Sequence, residues 1–470
     1  MTAKSPRSFH LISLGCAKNT VDSDSMAQLL NRAGFRATAN PREAGVLLVN
    51  TCGFIGPARE ESYRVLTEMA AAKGRHQLLI AAGCLTQRYG EEVVRRVPGI
   101  DGLLGTRRWM DIVEVVSRLR KDRHPEPLYH LPEQALTVGQ DEQGVLRAAV
   151  QGPSAYLKIA DGCRRPCAFC AIPLIKGTAV SRPLDSLLAE ARQLFTGGVR
   201  ELNLVAQDST DYGHDLGQKE GLAVLLEKLV KAVPELDWIR ILYAYPGYVT
   251  DRLIDTMAAH PQLIPYLDMP LQHAHPATLR RMRRPANVDW VYRTLEKMRR
   301  KLPELALRTT FIVGYPGESE AEFETLMDFI REIRFDRVGA FQFSFEPGTF
   351  SEALGDPVSA QVKQERWERL MAAQQTISLE KNQAWVGKTL KVLVEGSGQV
   401  EGAEDPISIG RSYRDAPEID GVVLIEGEVP LGEMVPVQIT GAMTYDLVGT
   451  VARQGPVLIG LDTVVETAGV

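Results

Sequence analysis

Cysteine is scarce in this chain: six residues in 470, far too few for a disulfide scaffold. No positively charged stretch leading into an apolar segment opens the sequence, and no window approaches the roughly 18 consecutive apolar residues of a membrane span. The expectation is a cytoplasmic protein without membrane contact, in a reducing compartment where cysteines ligate metal or remain buried thiols. Internal repeats with periods of about 20–50 residues and low-complexity tracts are also missing, which excludes solenoids and arrays. Nor is there an excess of positive charge, since the net charge is −5. That acidity is local. Residues 381–450 hold five basic residues (Lys381, Lys388, Lys391, Arg411 and Arg414) against eleven Asp and Glu, while the remainder is close to neutral. An acidic surface of this kind repels phosphate backbones and favours a basic partner.

With 44% hydrophobic and 24% charged residues the composition is that of a globular protein, and the length suggests about three domains. Up to residue 120, apolar runs alternate with helical stretches: HLISLGC (10–16), Ser23 to Ala33, VLLVNTC (46–52), Arg59 to Lys73, QLLIAAGC (77–84) and Thr86 to Val97. This βαβαβα rhythm predicts a Rossmann-like parallel sheet covered by helices over 8–120. From Asp122 to Pro153 the pattern fails in favour of Pro, Gln and charge, as expected of a connector. Strand and helix then alternate again through AYLKIADGC (155–163), RELNLVAQD (200–208), WIRILYAYP (238–246), YLDMPLQH (266–273), LRTTFIVGYPGE (307–318) and VGAFQFSFEPG (338–348). Six βα units predict a full or partial β/α (TIM-like) barrel over 150–378, with its reactive residues at the carboxyl ends of the strands. Residues 381–450 change to short β-branched runs such as TLKVLVEG, GVVLIEGEV and MVPVQITGA, reading as a small antiparallel β-barrel. The last 20 residues read as a tail without a clear fold.

The six cysteines form two triplets. Cys163, Cys167 and Cys170 lie in DGCRRPCAFCAIP (161–173) with spacing CxxxCxxC. One loop thereby supplies three soft thiolates to an iron-sulfur cube and leaves one metal position open for chemistry. A zinc knuckle would need a fourth ligand, and no histidine lies nearby; a group of free thiols is the other alternative. Cys16, Cys52 and Cys84, spaced 36 and 32 residues apart, each end one of the early strands. Ligands of open parallel sheets gather beyond those ends, so the three can converge on one point; buried free cysteines are the alternative.

CxxxCxxC after the first strand of a β/α barrel resembles the radical S-adenosylmethionine superfamily. The resemblance implies a 4Fe-4S cluster on Cys163, Cys167 and Cys170 that chelates S-adenosylmethionine at its open iron and cleaves it to a 5′-deoxyadenosyl radical. Phe169 matches the aromatic that packs by the adenine, or serves simple packing. Gln207 in VAQD (205–208) and Gly314 in IVGYPGE (312–318) fall at strand ends where the superfamily places cofactor contacts. Gly314 and Gly317 suit either a close backbone approach to a ligand or an ordinary turn. His273 and His275 in PLQHAHP are given structural roles, and no side chain is assigned as a catalytic acid or base.

SLGCAKNTVDS (13–23), NTCGFI (50–55) and AGCLTQR (82–88) resemble the N-terminal domain of the methylthiotransferases, whose three cysteines hold a second 4Fe-4S cluster. Within that family LGCAKNTVDS, with Lys18 and Val21, resembles the RimO branch rather than the YGCxMN form of the MiaB-type transfer-RNA enzymes. PLQHA and GRSYRDAPEIDG (410–421) resemble the same branch, and the last segment resembles a TRAM domain. The resemblance implies methylthiolation of the β-carbon of an aspartate in small-subunit ribosomal protein twelve, on or near the ribosome, with an external electron donor. A MiaB-like transfer-RNA methylthiotransferase is the alternative. Ribosomal proteins are basic, which an acidic docking domain fits. The basic run LRRMRRP (279–285), with Lys297, Arg299, Arg300 and Lys301, is read as a solvated helix face, or as a contact with ribosomal RNA near the target or with an acidic protein surface.

Overall fold

Apolar runs that lack polar alternation become central strands buried on both faces. Val46–Thr51 is buried along its whole length. Its Val46 and Leu48 enter a core with Phe9, Met26 and Ile80, while Leu47 and Val49 enter the opposite core with Tyr63, Leu66 and Leu79. The structure, a computed structural model, describes residues 7–121, 126–132, 144–399 and 406–452. It divides into two compact units, Met1–Lys381 and Asn382–Val470.

The first unit contains two large sheets. In one, six parallel strands run in the order Arg36–Ala37, Ser8–Ser13, Val46–Thr51, Leu78–Gly83, Gly102–Gly105 and Leu128–His130. Helices Ala17–Arg32, Gly56–Ala72, Cys84–Arg96 and Ile112–Lys121 connect them. The first three helices begin two to six residues earlier than the apolar periodicity indicates, because the added residues, AKNTVD, GPA and CL, are too few and hold too few apolar side chains to show a period.

The other sheet orders Arg337–Gln342, Ala306–Val313, Leu263–Asp268, Trp238–Ile241, Glu201–Val205, Ser154–Lys158 and Ala148–Gln151. Its first six strands are parallel, and the last pairs antiparallel across a turn at Gly152, φ 58°. This is a partial barrel: its end strands are not paired with each other among the described residues. The segment expected as a connector therefore supplies an edge strand to each sheet, Leu128–His130 and Ala148–Gln151. Strands this short fall below any periodicity window and are recruited by unpaired edges of the neighbouring sheet.

The second unit is a closed five-stranded barrel in the order Thr389–Gly398, Ile407–Ser412, Val423–Glu426, Leu447–Val451 and Met434–Ala442. Four of its pairings are antiparallel and one, Val423–Glu426 with Leu447–Val451, is parallel. GRSYRDAP is turned inward here: Arg411, Ser412, Arg414, Asp415 and Ala416 are all buried. Ser412 donates to Asp415 at 2.8 Å, and the Arg411 guanidinium donates to the Asp415 carbonyl at 2.8 Å and to Glu395 at 2.7 Å. Of the last 20 residues, expected to be a tail, Val451 ends the strand Leu447–Val451, and those from 453 onward lie outside the described residues.

Candidate functional site

Three neighbouring strands of the first sheet, Ser8–Ser13, Val46–Thr51 and Leu78–Gly83, end at the N-terminal triplet. Cys16 is the N-cap of Ala17–Arg32, Cys52 follows Thr51 directly, and Cys84 opens Cys84–Arg96. Two of the three thiols thus sit at helix N-termini, where backbone dipoles favour negative charge. Glycines let the loops meet. Gly15, at φ 94°, lies so close to Cys52 that an added Cβ would be 2.8 Å from the Cys52 Cβ, and one on Gly53 would be 2.6 Å from the Leu85 Cα. Asn19 donates to the Leu14 carbonyl at 2.6 Å, while Asn50 donates to the Asn19 carbonyl at 3.0 Å and to Ser23 at 2.8 Å, holding the first two loops in register.

The second triplet follows the short strand Ala160–Asp161. Gly162, at φ 79°, is pressed against the Thr178 carbonyl, leaving no room for a Cβ. The Cys163 N–H donates to the Gly177 carbonyl at 3.0 Å and the Ala168 N–H to the Met282 carbonyl at 2.9 Å, so distant segments fix the loop. The sulfurs are already solvated by donors. The Arg165 N–H donates to the Cys163 Sγ at 3.4 Å, Arg284 donates to the Cys167 Sγ at 3.5 Å, and the Tyr245 hydroxyl lies 3.8 Å from the same sulfur.

Burial pushes the thiols of Cys52 and Cys163 up to about 11 and that of Cys84 up to about 12, and raises that of Cys170 as well. Cys16 raises Cys52 and Cys84 further, and Cys167 raises Cys163 and Cys170, which places the sulfurs of each triplet within electrostatic reach of one another. A metal that binds here displaces protons from these thiols. Among the described residues no three His, Cys, Asp or Glu side chains converge on a single metal ion. A 4Fe-4S cube takes one thiolate on each of three irons, so its ligands stand wider apart than the shell of one zinc ion. Three soft donors per site, with glycines clearing the approach, fit that group.

A buried ion network ties the triplets together. Asp22, on the helix that Cys16 caps, receives Lys158 at 2.5 Å, Arg147 at 2.8 Å and Lys176 at 2.9 Å. Asp161, two residues before Cys163, accepts from Lys158 and Lys176, each at 3.2 Å. Lys176 closes the short helix after Cys170 and lies within electrostatic reach of Cys84. Burial works against the charge of Asp22, but Lys158, Lys176 and Arg147 outweigh it and hold the carboxyl well below the ordinary range. A second tie joins Glu346, past the last barrel strand, to Arg88 at 2.7 Å and to Arg59. Both triplets therefore face one side of the unit. From that side Lys18 reaches Tyr243, just past Trp238–Ile241, with its ammonium 3.4 Å from the ring centroid. Burial opposes the Lys18 charge, but Tyr243, Cys16 and Asp268 outweigh it and raise its pKa.

Residues 8–105 match the family described as "Uncharacterized protein family UPF0004", 157–330 the radical SAM superfamily and 386–452 the TRAM domain. A protein of Chloroflexus aurantiacus named "Ribosomal protein uS12 methylthiotransferase RimO" is 51% identical over 451 residues, covering 94% of this chain and 99% of the relative. The chain belongs to the RimO family. A RimO of Roseiflexus sp. is 47% identical over 456 residues, covering 94% of this chain and 96% of that one. Among solved structures the chain is similar in fold to TsrM from Kitasatospora setae, a radical S-adenosylmethionine methyltransferase, with a TM-score of 0.55 and 14% identity over 85% of this chain and 82% of that one.

Other positions singled out in the sequence take definite places. Gln207 donates to Asp161 at 3.1 Å, and its buried Oε1 has no hydrogen-bond partner among the described residues. Phe169 packs on Met282, Tyr315 and Phe343. Gly314, at φ 70°, gives its N–H to Glu318 at 3.1 Å and is covered by the Lys363 stem. His273 accepts from the His275 N–H at 2.9 Å, and His275 caps the helix Pro276–Arg281. The run LRRMRRP is not one surface. Arg284 turns inward to Cys167 and the Pro270 carbonyl, Arg281 pairs with Glu322 at 2.7 Å, and Arg283 stacks on Phe350 at 3.6 Å. Sequence reasoning missed Asp22, Asp161, Lys176 and Arg284, because charged residues inside a domain have no periodic signature. For Asp22, Asp161 and Lys176 the one visible trace is position, within six residues of a cysteine; Arg284 has none, standing 117 positions from Cys167.

Proposed function

We propose that this chain methylthiolates ribosomal protein uS12, as the names of its relatives state for them, and that the group modified is the β-carbon of an aspartate. Cys163, Cys167 and Cys170 hold a 4Fe-4S cluster that binds S-adenosylmethionine, and Cys16, Cys52 and Cys84 hold a second. When bound, these groups supply a 5′-deoxyadenosyl radical from the barrel side and a methylthio group from the N-terminal side. The residues of the chain do the positioning. The Asp22–Lys176–Asp161 network fixes one triplet against the other, and Arg284 and Tyr245 steady the Cys167 sulfur. Phe169, Gln207 and Gly314 line the S-adenosylmethionine side. The observation that carries this reading is that two three-thiol sites sit at strand ends of two sheets and share one buried ion network.

The functional divisions follow as 8–120, 150–378 and 381–450. The last docks the basic target protein. Its Glu418, Glu426, Glu428 and Glu433 are exposed, whereas Arg411 and Arg414 are buried, so the outward face is more acidic than the composition. No helix among the described residues is long and apolar enough to cross a membrane, in keeping with action in the cytoplasm on or near the ribosome. An external donor supplies electrons, and RNA contact is secondary. The test incubates anaerobically reconstituted, reduced protein with S-adenosylmethionine and either uS12 or transfer RNA. A methylthio mass gain on uS12 supports the reading, and one on transfer RNA alone overturns it in favour of the MiaB-like activity.

A further inference from the structure

The target group has a chemical feature that the site must read: the carbon to be modified is bonded directly to a carboxylate. A cation that holds that carboxylate fixes the reacting carbon to within one bond, whereas an apolar pocket cannot tell aspartate from asparagine. Cations are plentiful on the side of the unit shared by the two triplets, but most are committed. Lys176 serves Asp22 and Asp161, Arg164 serves Asp211, Arg165 serves Asp208 and Asp211, and Arg308 pairs with Asp268. Arg284 is spent on a sulfur and a carbonyl.

Lys18 differs from these. It stands two residues past Cys16, on the first turn of Ala17–Arg32, and crosses to the barrel, where its ammonium rests on the face of Tyr243 at 3.4 Å. Tyr243 itself is set in a left-handed conformation, φ 63°, with its N–H 3.4 Å from Asp268 at the end of Leu263–Asp268. The Lys18 ammonium forms no ion pair among the described residues. Tyr243, through its ring face and as a side-chain hydrogen-bond partner, is an uncharged partner for the ammonium, and an ammonium has three donors, so an anion can still be bound.

We infer that Lys18 is a specificity residue whose ammonium binds the side-chain carboxylate of the target aspartate, between the N-terminal thiols and the barrel. This rests on the uS12 reading and adds to it the group that recognises the substrate. Tyr243 acts as a positioning residue, holding the lysine extended across the gap.

The experiment compares uS12 with a form carrying asparagine at the aspartate the wild-type enzyme modifies, binding each to the reconstituted full-length protein with S-adenosylmethionine. Wild type is expected to prefer the aspartate form roughly ten- to a hundredfold, the worth of a charge-assisted hydrogen bond. Lys18→Met should bring the ratio to near unity, and Lys18→Arg should restore most of it. Iron content and circular dichroism are followed alongside, and if Lys18→Met loses its iron, Lys18→Gln and the wild-type ratio decide. A lysine that only tethers the two sheets would lower stability and leave the ratio intact, which overturns the inference. Binding of both uS12 forms equally by wild type overturns it while the substrate reading stands, and binding of neither removes both.

Discussion

The two cysteine sites of the first unit are built by opposite means. Cys163, Cys167 and Cys170 come from one loop of eight residues, whereas Cys16, Cys52 and Cys84 come from three strand ends spread over 69 residues. The loop site is local: its spacing already confines the thiols, and Gly162 with a few backbone hydrogen bonds completes it. The strand-end site does not exist until the parallel sheet has formed and Gly15 and Gly53 have let its loops touch. The loop triplet can tolerate damage to the first sheet; the strand-end triplet cannot.

The sharpest way to break this comparison is to remove each set of ligands. Alanine at Cys163, Cys167 and Cys170 together should abolish 5′-deoxyadenosine formation. Alanine at Cys16, Cys52 and Cys84 should spare it and abolish methylthio transfer, each variant keeping about four of about eight irons. Loss of all iron from either variant, measured by iron and sulfide assay, would show that the sites are not independent.

Next in size is the network that couples them. Asp22→Asn leaves Lys158, Lys176 and Arg147 facing a neutral side chain, and removing one partner of so buried a group costs about 3–5 kcal/mol, readable by chemical denaturation. The sign with pH follows from the lowered carboxyl of Asp22. Its contribution is fully present above the ordinary carboxylate pKa of about 4 and is lost as pH falls toward the depressed value. Wild type should therefore lose stability more steeply than Asp22→Asn in acid, and parallel curves would remove the network from the account.

A smaller effect is expected at the glycines. Gly15→Ala forces a side chain into the left-handed region against Cys52, worth about 1–3 kcal/mol of strain, and should deplete N-terminal iron while the barrel iron persists. Gly162→Ala should do the reverse, since its neighbour is the Thr178 carbonyl. Equal depletion of both clusters by either variant would count against the local character of the loop site.

The smallest effect concerns Asp24, whose carboxyl burial pushes up to about 6. Its folded pKa is raised, so the fold is least burdened below about pH 4 and progressively more so as pH rises through about 6. Asp24→Asn should raise the melting temperature at pH 8 by roughly 1–2 °C and leave it unchanged at pH 3.5. A gain at both values would assign the effect to packing.

Much of this site was legible along the chain. The unbroken apolar runs VLLVNTC and QLLIAAGC announced buried parallel strands, and each carried its cysteine at the end. The strands Leu128–His130 and Ala148–Gln151 were not legible, because a three- or four-residue strand is chosen by the edge it meets. GRSYRDAPEIDG was visible as a motif, yet its residues 411–416 form a buried hydrogen-bonded turn rather than an exposed surface. LRRMRRP was visible as charge, but not its division into a sulfur contact, an ion pair and a stacked guanidinium.

Spacing and periodicity are local properties, so the amino-acid order alone settled which six thiols pair into triplets, which strands they end and where the acidic charge resides. Only folding decided that Asp22 meets Lys176 across 154 positions, that Arg284 reaches Cys167 across 117, and that Lys18 lies on Tyr243. Side chains so far apart in the chain carry no mutual signal; they become neighbours when two sheets, each stabilised by its own apolar core, pack with their strand ends on the same side.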